Sequence, residues 1–218
     1  MDAVARRPYH ARVKDVYLLE DLRSWTAGRP ADAAQIRLGI LGDPVAHSLS
    51  PQIQNAALEN CGLAMRYARF QVAPNELSEA LALLPALDFV GINLTAPHKL
   101  AAAGLVDELD DFARRVGAIN TVRINDGRLL GFNTDGPGFS RAIRSEFYVE
   151  LRVLRVLLLG AGGAARAIAL QCATDGCARL VLATRTIVEA KQVAAELTAR
   201  FGVLEVIKPR ESARHAED

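Results

Sequence analysis

Apolar residues recur along this chain with two periods, and the two take turns. Val90, Ile92 and Leu94 alternate with Gly91, Asn93 and Thr95, the period of a strand, and Pro97 ends the extended run in favour of a helical first turn. Upstream, Ile36 to Leu41 predicts a strand, Gln52 to Cys61 a helix stopped at Gly62, Arg66 to Val72 a strand and Pro74 to Leu84 a helix. Downstream, Asp107 to Val116 predicts a helix, and Gly117 to Thr121 leads into a strand reaching Asn125. Asp126-Gly127 marks a hairpin turn, Arg128 to Phe132 returns from it, and Asp135 heads the next helix. Val153 to Leu159 is apolar without interruption, as expected of a strand buried on both faces. A glycine-rich turn, Gly160 to Ala167, then opens a helix, and Arg179 to Ala183 predicts another strand.

Strand and helix in succession predict an α/β fold with a mostly parallel sheet. The pattern divides into an N-terminal extension over 1–35, an α/β domain over 36–145 and a partial Rossmann domain over 146–218, with a hinge at 146–152. Val16 to Trp25 reads as a short amphipathic segment, followed by a polar linker from Thr26 to Ala34.

Composition narrows the function classes. The chain has 218 residues, half of them hydrophobic, and a formal net charge of +1, which suits a real core and argues against a nucleic-acid binder. No apolar run reaches bilayer length, and the arginines of Met1 to Lys14 read as a flexible tail rather than an address. Cys61, Cys172 and Cys177 lack framework or metal-ligand spacing and read as buried free thiols in a reducing cytoplasm.

Lys99 falls just past a strand end, where ligands bind in open α/β sheets, and this is where a catalytic lysine would stand. Ser48 and Ser50, two apart after the first strand, would project from one side of extended backbone, with Ser50 capping the helix ahead of Pro51. Two hydroxyls over free backbone N–H groups form a site for a carboxylate. His47 reads as structural, holding that loop. Gly160, Gly162 and Ala165 follow a strand and open a helix at the G-x-G-x-x-G/A spacing, which points to dinucleotide binding. After the next strand, Thr184, Arg185 and Thr186 place a guanidinium between two hydroxyls; this suits the 2′-phosphate of NADP where an NAD site has a carboxylate.

Five motifs, G-D-P-V-A-H-S-L-S-P, G-I-N-L-T-A-P-H-K, G-A-I-N-T, G-F-N-T-D and G-A-G-G-A, stand in one order between about Ile36 and Glu196. In this the chain resembles the shikimate dehydrogenases. The resemblance implies a substrate-binding catalytic domain followed by a Rossmann domain. It also implies NADP-dependent interconversion of shikimate and 3-dehydroshikimate in aromatic amino-acid biosynthesis. Carried over, Ser48 and Ser50 would hold the substrate carboxylate, and Thr95, Asn120 and Asp135 the ring hydroxyls. Lys99 would be the acid–base group, paired with Asp135. Gly160, Ala161, Gly162, Gly163 and Ala164 would wrap the NADP pyrophosphate, with Thr184, Arg185 and Thr186 on the 2′-phosphate. Quinate-using relatives alter the serine pair, so Ser48 and Ser50 favour shikimate. Gln54, Thr184 and Glu189 depart from the family pattern at positions that bear on cofactor affinity.

Arg155 to Asp218 leaves room for about one βαβαβ half of a dinucleotide fold, which has two. The expectation is therefore a shortened family member whose charged Lys208 to Asp218 is a frayed tail. The strand at Val153 to Leu159 would then have an open edge, with reduced stability or self-association through it as the expectation and a homodimer as the partner form. Two further readings stay open: a non-catalytic module that binds substrate or NADP, and an inactive fragment.

Overall fold

The structure, a computed structural model, describes residues 14–25, 36–184, 191, 194, 195, 197 and 205–207. Most of the expected N-terminal tail, the linker from Thr26 to Ala34, Arg185, Thr186, Glu189 and the tail from Lys208 lie outside the described residues. Among the described residues, nine strands fall into two sheets. The first holds β1 (Ile36–Gly42), β2 (Arg66–Gln71), β3 (Gly91–Leu94), β4 (Glu108–Leu109), β5 (Thr121–Asn125) and β6 (Arg128–Phe132) in the order β2-β1-β3-β5-β6-β4. The second is β7 (Arg155–Leu159), β8 (Arg179–Ala183) and β9 (Glu205–Ile207), in that order and parallel. The α/β class and the parallel pairing of β1 with β2 and β3 follow the sequence reading. By internal contact the chain forms two units: Met1–His98 with Val122–Leu129, and Lys99–Thr121 with Leu130–Asp218.

In the first unit, α1 (Leu19–Arg23) buries Leu19 and Leu22, and Tyr17, Trp25, Phe70 and Phe89 form an aromatic cluster with ring centroids 5.3 to 5.8 Å apart. Phe70 lies over Gly39 of β1, where an added Cβ would stand 2.5 Å from its ring. The outer edge of β2 is covered twice over. The Tyr17 backbone takes the Arg69 carbonyl and the Gln71 N–H, and the Asn55 side chain of α2 (Ser50–Asn60) takes the N–H and C=O of Tyr67. Helix α3 (Leu77–Leu83) buries Leu77, Ala80 and Leu81. Thr95 packs on Gly42, where a Cβ would come within 2.4 Å of its methyl group, so the loops after β1 and β3 lie against one another. The Asp43–Pro44 and Ala96–Pro97 peptides are cis. Beyond Pro97, α4 (His98–Ala101) begins with a fully buried His98 whose Nε2 lies 2.9 Å from the Val72 carbonyl.

The second unit departs from expectation at α5 (Asp111–Val116), which is shorter than the helix read from the sequence. Asp110 accepts a hydrogen bond from the Ala113 N–H and caps it, so Glu108 and Leu109 are left to pair with β6 as β4. Helix α6 (Asp135–Phe147) crosses α7 (Gly163–Thr174) closely at Gly136, where a Cβ would meet the Phe112 ring at 2.4 Å and the Ala167 carbonyl at 2.9 Å. Asp175 fastens the pair, accepting from Ser140 of α6 and Gln171 of α7. The core between them gathers Val116, Leu151, Ala167, Leu170, Leu180 and Leu182. β7 ends its sheet with one strand neighbour among the described residues, in line with the open edge read from the sequence, but it corrects the expected burial of both faces: none of its residues is buried, and Leu159 is 77% exposed. A continuous apolar run identifies a strand here but not the burial of both its faces. Cys172 is buried and its thiol is pushed up to about 12 by desolvation; Cys177 is half-buried, but Cys61 is exposed, against the reading of three buried thiols. No described helix is long and apolar enough to cross a membrane.

Two predictions come from these packings. Gly136→Ala is expected to cost about 1–3 kcal/mol through overpacking, whereas Gly138→Ala, facing open space on the same helix, is expected to gain about 0.5–1 kcal/mol. Urea unfolding of the two variants checks the contrast. Burial also lowers the His98 pKa below its ordinary 6.5, with the Val72 carbonyl and Asp43 opposing in part. Unfolded chains then bind more protons, so the contribution is complete above pH 6.5 and is lost as pH falls from there through the lowered folded value, at up to about 1.4 kcal/mol per pH unit. His98→Gln is expected to flatten that slope in melts across the same window.

Candidate active site

Lys99 is the second residue of α4, and Asp135 the first of α6. The Lys99 ammonium donates to Asp135 Oδ2 at 2.7 Å, with the two side chains 19% and 22% exposed. The other carboxylate oxygen, Oδ1, accepts from Asn120 Nδ2 at 2.7 Å. Asp135 stands in the first turn of α6, where the helix dipole favours a negative charge.

The two asparagine motifs build the frame around this pair. Asn120 Oδ1 accepts from the Thr134 N–H at 3.0 Å, so one amide grips both the chain before Asp135 and the carboxylate itself. Asn133 Oδ1 accepts from the Asp135 N–H at 3.0 Å while its Nδ2 donates to the Ala118 carbonyl at 2.9 Å. Backbone bonds from the Ile119 N–H to the Lys99 carbonyl, and from the Asn120 N–H to the Phe132 carbonyl, tie the three segments together. Asn133 and Thr134 carry no role in the sequence reading. Their signal was the repeated Asn-Thr pair, Asn120-Thr121 and Asn133-Thr134.

The glycine turn lies beside this lysine. Gly160 has φ +118, a backbone conformation that side chains rarely adopt, and its N–H bonds the Ala183 carbonyl at 2.8 Å. Ala161 is buried, Gly162 caps α7, and Gly163 and Ala164 are its first residues. No side chain caps α7, which leaves its leading N–H groups available to an anion. An added Cβ on Gly163 would approach the Lys99 Cβ to 3.0 Å, so the turn rests on the lysine stem. These residues fit a dinucleotide pyrophosphate. Thr184 is buried at the end of β8.

In the first unit, Ser48 and Ser50 do converge, by a geometry other than the one expected. The loop turns, with the Ser48 N–H on the Val45 carbonyl, and the Ser48 hydroxyl donates to Ser50 Oγ at 3.1 Å. Ser50 is already helical and caps nothing; its N–H donates to Ser48 Oγ at 3.2 Å. A turn brings the hydroxyls together where a strand period would only align them. Thr95 is half-buried against Gly42. His47 is exposed and holds nothing, and Gln54 is exposed on α2. Among the described residues, no group of acidic, histidine and cysteine side chains is arranged to hold a metal ion.

The family model for the shikimate dehydrogenase substrate binding domain matches residues 40–122. A shikimate dehydrogenase (NADP+) of Methanopyrus kandleri is 46% identical over 172 residues, which are 79% of this chain and 59% of that protein. The chain thus spans less than two thirds of that relative's length. Among solved structures, the shikimate 5-dehydrogenase of Thermus thermophilus in complex with NADP(H) and shikimate superposes with a TM-score of 0.72 at 39% identity, covering 83% of this chain and 65% of that one. The ligand-free 5-ketofructose reductase of a Gluconobacter strain does so with a TM-score of 0.70 at 34% identity, covering 80% and 62%. With the five motifs in order and the lysine–aspartate pair formed, the chain carries the substrate binding domain of the shikimate dehydrogenase family over residues 40–122 and matches members of that family over most of its own length.

Proposed function

We propose that the chain acts as an NADP-dependent shikimate dehydrogenase, reversibly reducing 3-dehydroshikimate to shikimate on the route to chorismate. The observation that carries this reading is the Lys99–Asp135 pair at 2.7 Å, partly withdrawn from water, with Gly163 of the glycine turn against the lysine stem. Reduction of a ketone turns its oxygen into an alkoxide. The Lys99 ammonium stabilises that charge and donates the proton to the same oxygen; in the reverse direction the lysine amine takes the hydroxyl proton up. Bound NADPH supplies the hydride. Asp135 balances and aims the ammonium, and Asn120 fixes the carboxylate that does so. Thr95, Asn120 and Asp135 are assigned to ring hydroxyls and Ser48 and Ser50 to the carboxylate, the pair that favours shikimate over quinate. Gly160 to Ala164 are assigned to the pyrophosphate, and Thr184, Arg185 and Thr186 to the 2′-phosphate. The same reading keeps 1–35 as an extension, 36–145 as the catalytic domain and 146–218 as the nucleotide domain. It places the protein in the cytoplasm, supported by three free thiols, and pairs two copies as a homodimer, supported by the edge that β7 leaves without a strand neighbour among the described residues.

The test is steady-state reduction of NADP by shikimate, with calorimetric binding of shikimate alongside. Lys99→Ala is expected to lower kcat on the order of 100-fold or more while shikimate still binds. A change of less than several-fold removes Lys99 from the acid–base role. Binding of shikimate or NADP by the unaltered chain with no turnover selects the second reading, a non-catalytic binding module. Sedimentation across a dilution series is expected to show a dimer dissociating to monomer; a monomer at every concentration overturns the homodimer.

A further inference from the structure

Lys99 and Asp135 meet at their tips, and their backbones are also joined, by a route of three hydrogen bonds. The Ile119 N–H donates to the Lys99 carbonyl at 2.8 Å. The carbonyl of the same peptide unit, on Ala118, accepts from Asn133 Nδ2 at 2.9 Å. Asn133 Oδ1 in turn accepts from the Asp135 N–H at 3.0 Å. With the ion pair at 2.7 Å the route closes into a ring. Between the two backbones it runs through the Ala118–Ile119 peptide, which is planar and stiff, and the planar Asn133 amide. Ala118 and Ile119 are fully buried and Asn133 is 3% exposed, so a link lost there is left unmade rather than replaced by water.

We infer that Asn133 is a positioning residue that, through the Ala118–Ile119 peptide, fixes the Asp135 carboxylate relative to Lys99. This rests on the proposed acid–base role of that lysine. Capping alone does not account for the residue. The Asp135 N–H at the start of α6 needs only an acceptor, and the hydroxyl of a serine supplies one. The amide adds a donor, and that donor is what reaches Ala118. Only one orientation of the amide serves, since one neighbour is an N–H and the other a C=O. Its nitrogen and its oxygen are both engaged within the protein, so Asn133 acts through Asp135. Asn120 holds Oδ1 and fixes the rotation of the carboxylate, whereas Asn133 fixes the backbone from which that side chain springs. A shift of about 1 Å at that backbone takes Oδ2 out of line with the ammonium, and misplacement on this scale costs up to about 100-fold in rate.

Asn133→Ala and Asn133→Ser test this, because serine keeps an acceptor for the Asp135 N–H and is too short to reach Ala118 as well. One readout needs no turnover: the proton–nitrogen NMR signal of the Lys99 ammonium, identified by its loss in Lys99→Ala. Its exchange with water is expected to be several-fold faster in both variants than in the unaltered chain. The other readout is steady-state kinetics with shikimate, in which both variants are expected to lower kcat about tenfold and to change KM less than about twofold. An unchanged ammonium signal, an unchanged kcat, a loss carried by KM, or full recovery by serine each overturn the positioning role and leave Lys99 as the acid–base candidate. Absence of the ammonium signal from the unaltered chain removes the pair and the proposal with it. Should the unaltered chain show no turnover, the dehydrogenase reading falls, and the ammonium signal alone decides whether Asn133 holds the pair. If neither variant folds, amide hydrogen exchange of the unaltered chain decides. The Ile119 and Asp135 N–H groups are then expected to open together, with protection equal within about tenfold, and a larger difference overturns the proposal.

Discussion

A lysine ammonium four-fifths withdrawn from water needs an opposite charge, and in this chain Asp135 supplies it at 2.7 Å. That requirement organises much of what surrounds it. A carboxylate free to rotate would aim the ammonium loosely, so its second oxygen is taken by Asn120 and its backbone N–H by Asn133. Those asparagines are themselves held, one by the Thr134 N–H and the other by the Ala118 carbonyl. Removing one partner from such a pair leaves a stranded charge, at a cost on the order of 3 kcal/mol when burial is deep. The polar motifs of the second unit thus serve one direction in space: where the lysine nitrogen points.

Close approach of backbone is the second constraint, and glycine meets it at chosen places. Gly42 admits the Thr95 side chain between two loops, Gly136 lets α6 and α7 cross over Phe112, and Gly163 lets the nucleotide-type turn rest on the Lys99 stem. Each absence of a Cβ brings a functional segment nearer by the width of a methyl group. Packing and chemistry are joined at these points, since the glycine that opens α7 also sets the distance of that helix start from the Lys99 stem.

Local order was legible in the sequence and non-local partnership was only partly so. Period-two alternation located β3, the Asp126-Gly127 pair located the hairpin, and the glycine spacing located the start of α7, because each depends on neighbours along the chain. Asp110 caught the start of α5 by capping it, which an apolar period alone places too early. The apolar run of β7 carried no information on how many strands would flank it. Lys99 and Asp135 were named on the motifs, and the structure brings them together. The serines converge through a turn that strand spacing does not describe. Asn133 escaped notice because its bond to the Ala118 carbonyl spans 15 residues, which the repeated Asn-Thr pair hints at but does not locate.

The central claim is that the paired ammonium and carboxylate face the reacting hydroxyl of the substrate. A crystal structure of the chain grown with shikimate tests it most directly. The account predicts one ring hydroxyl oxygen at about 3 Å from Lys99 Nζ, with Asp135 still in contact with the ammonium. Shikimate seated away from Lys99, or Lys99 and Asp135 turned from one another in the complex, would contradict it.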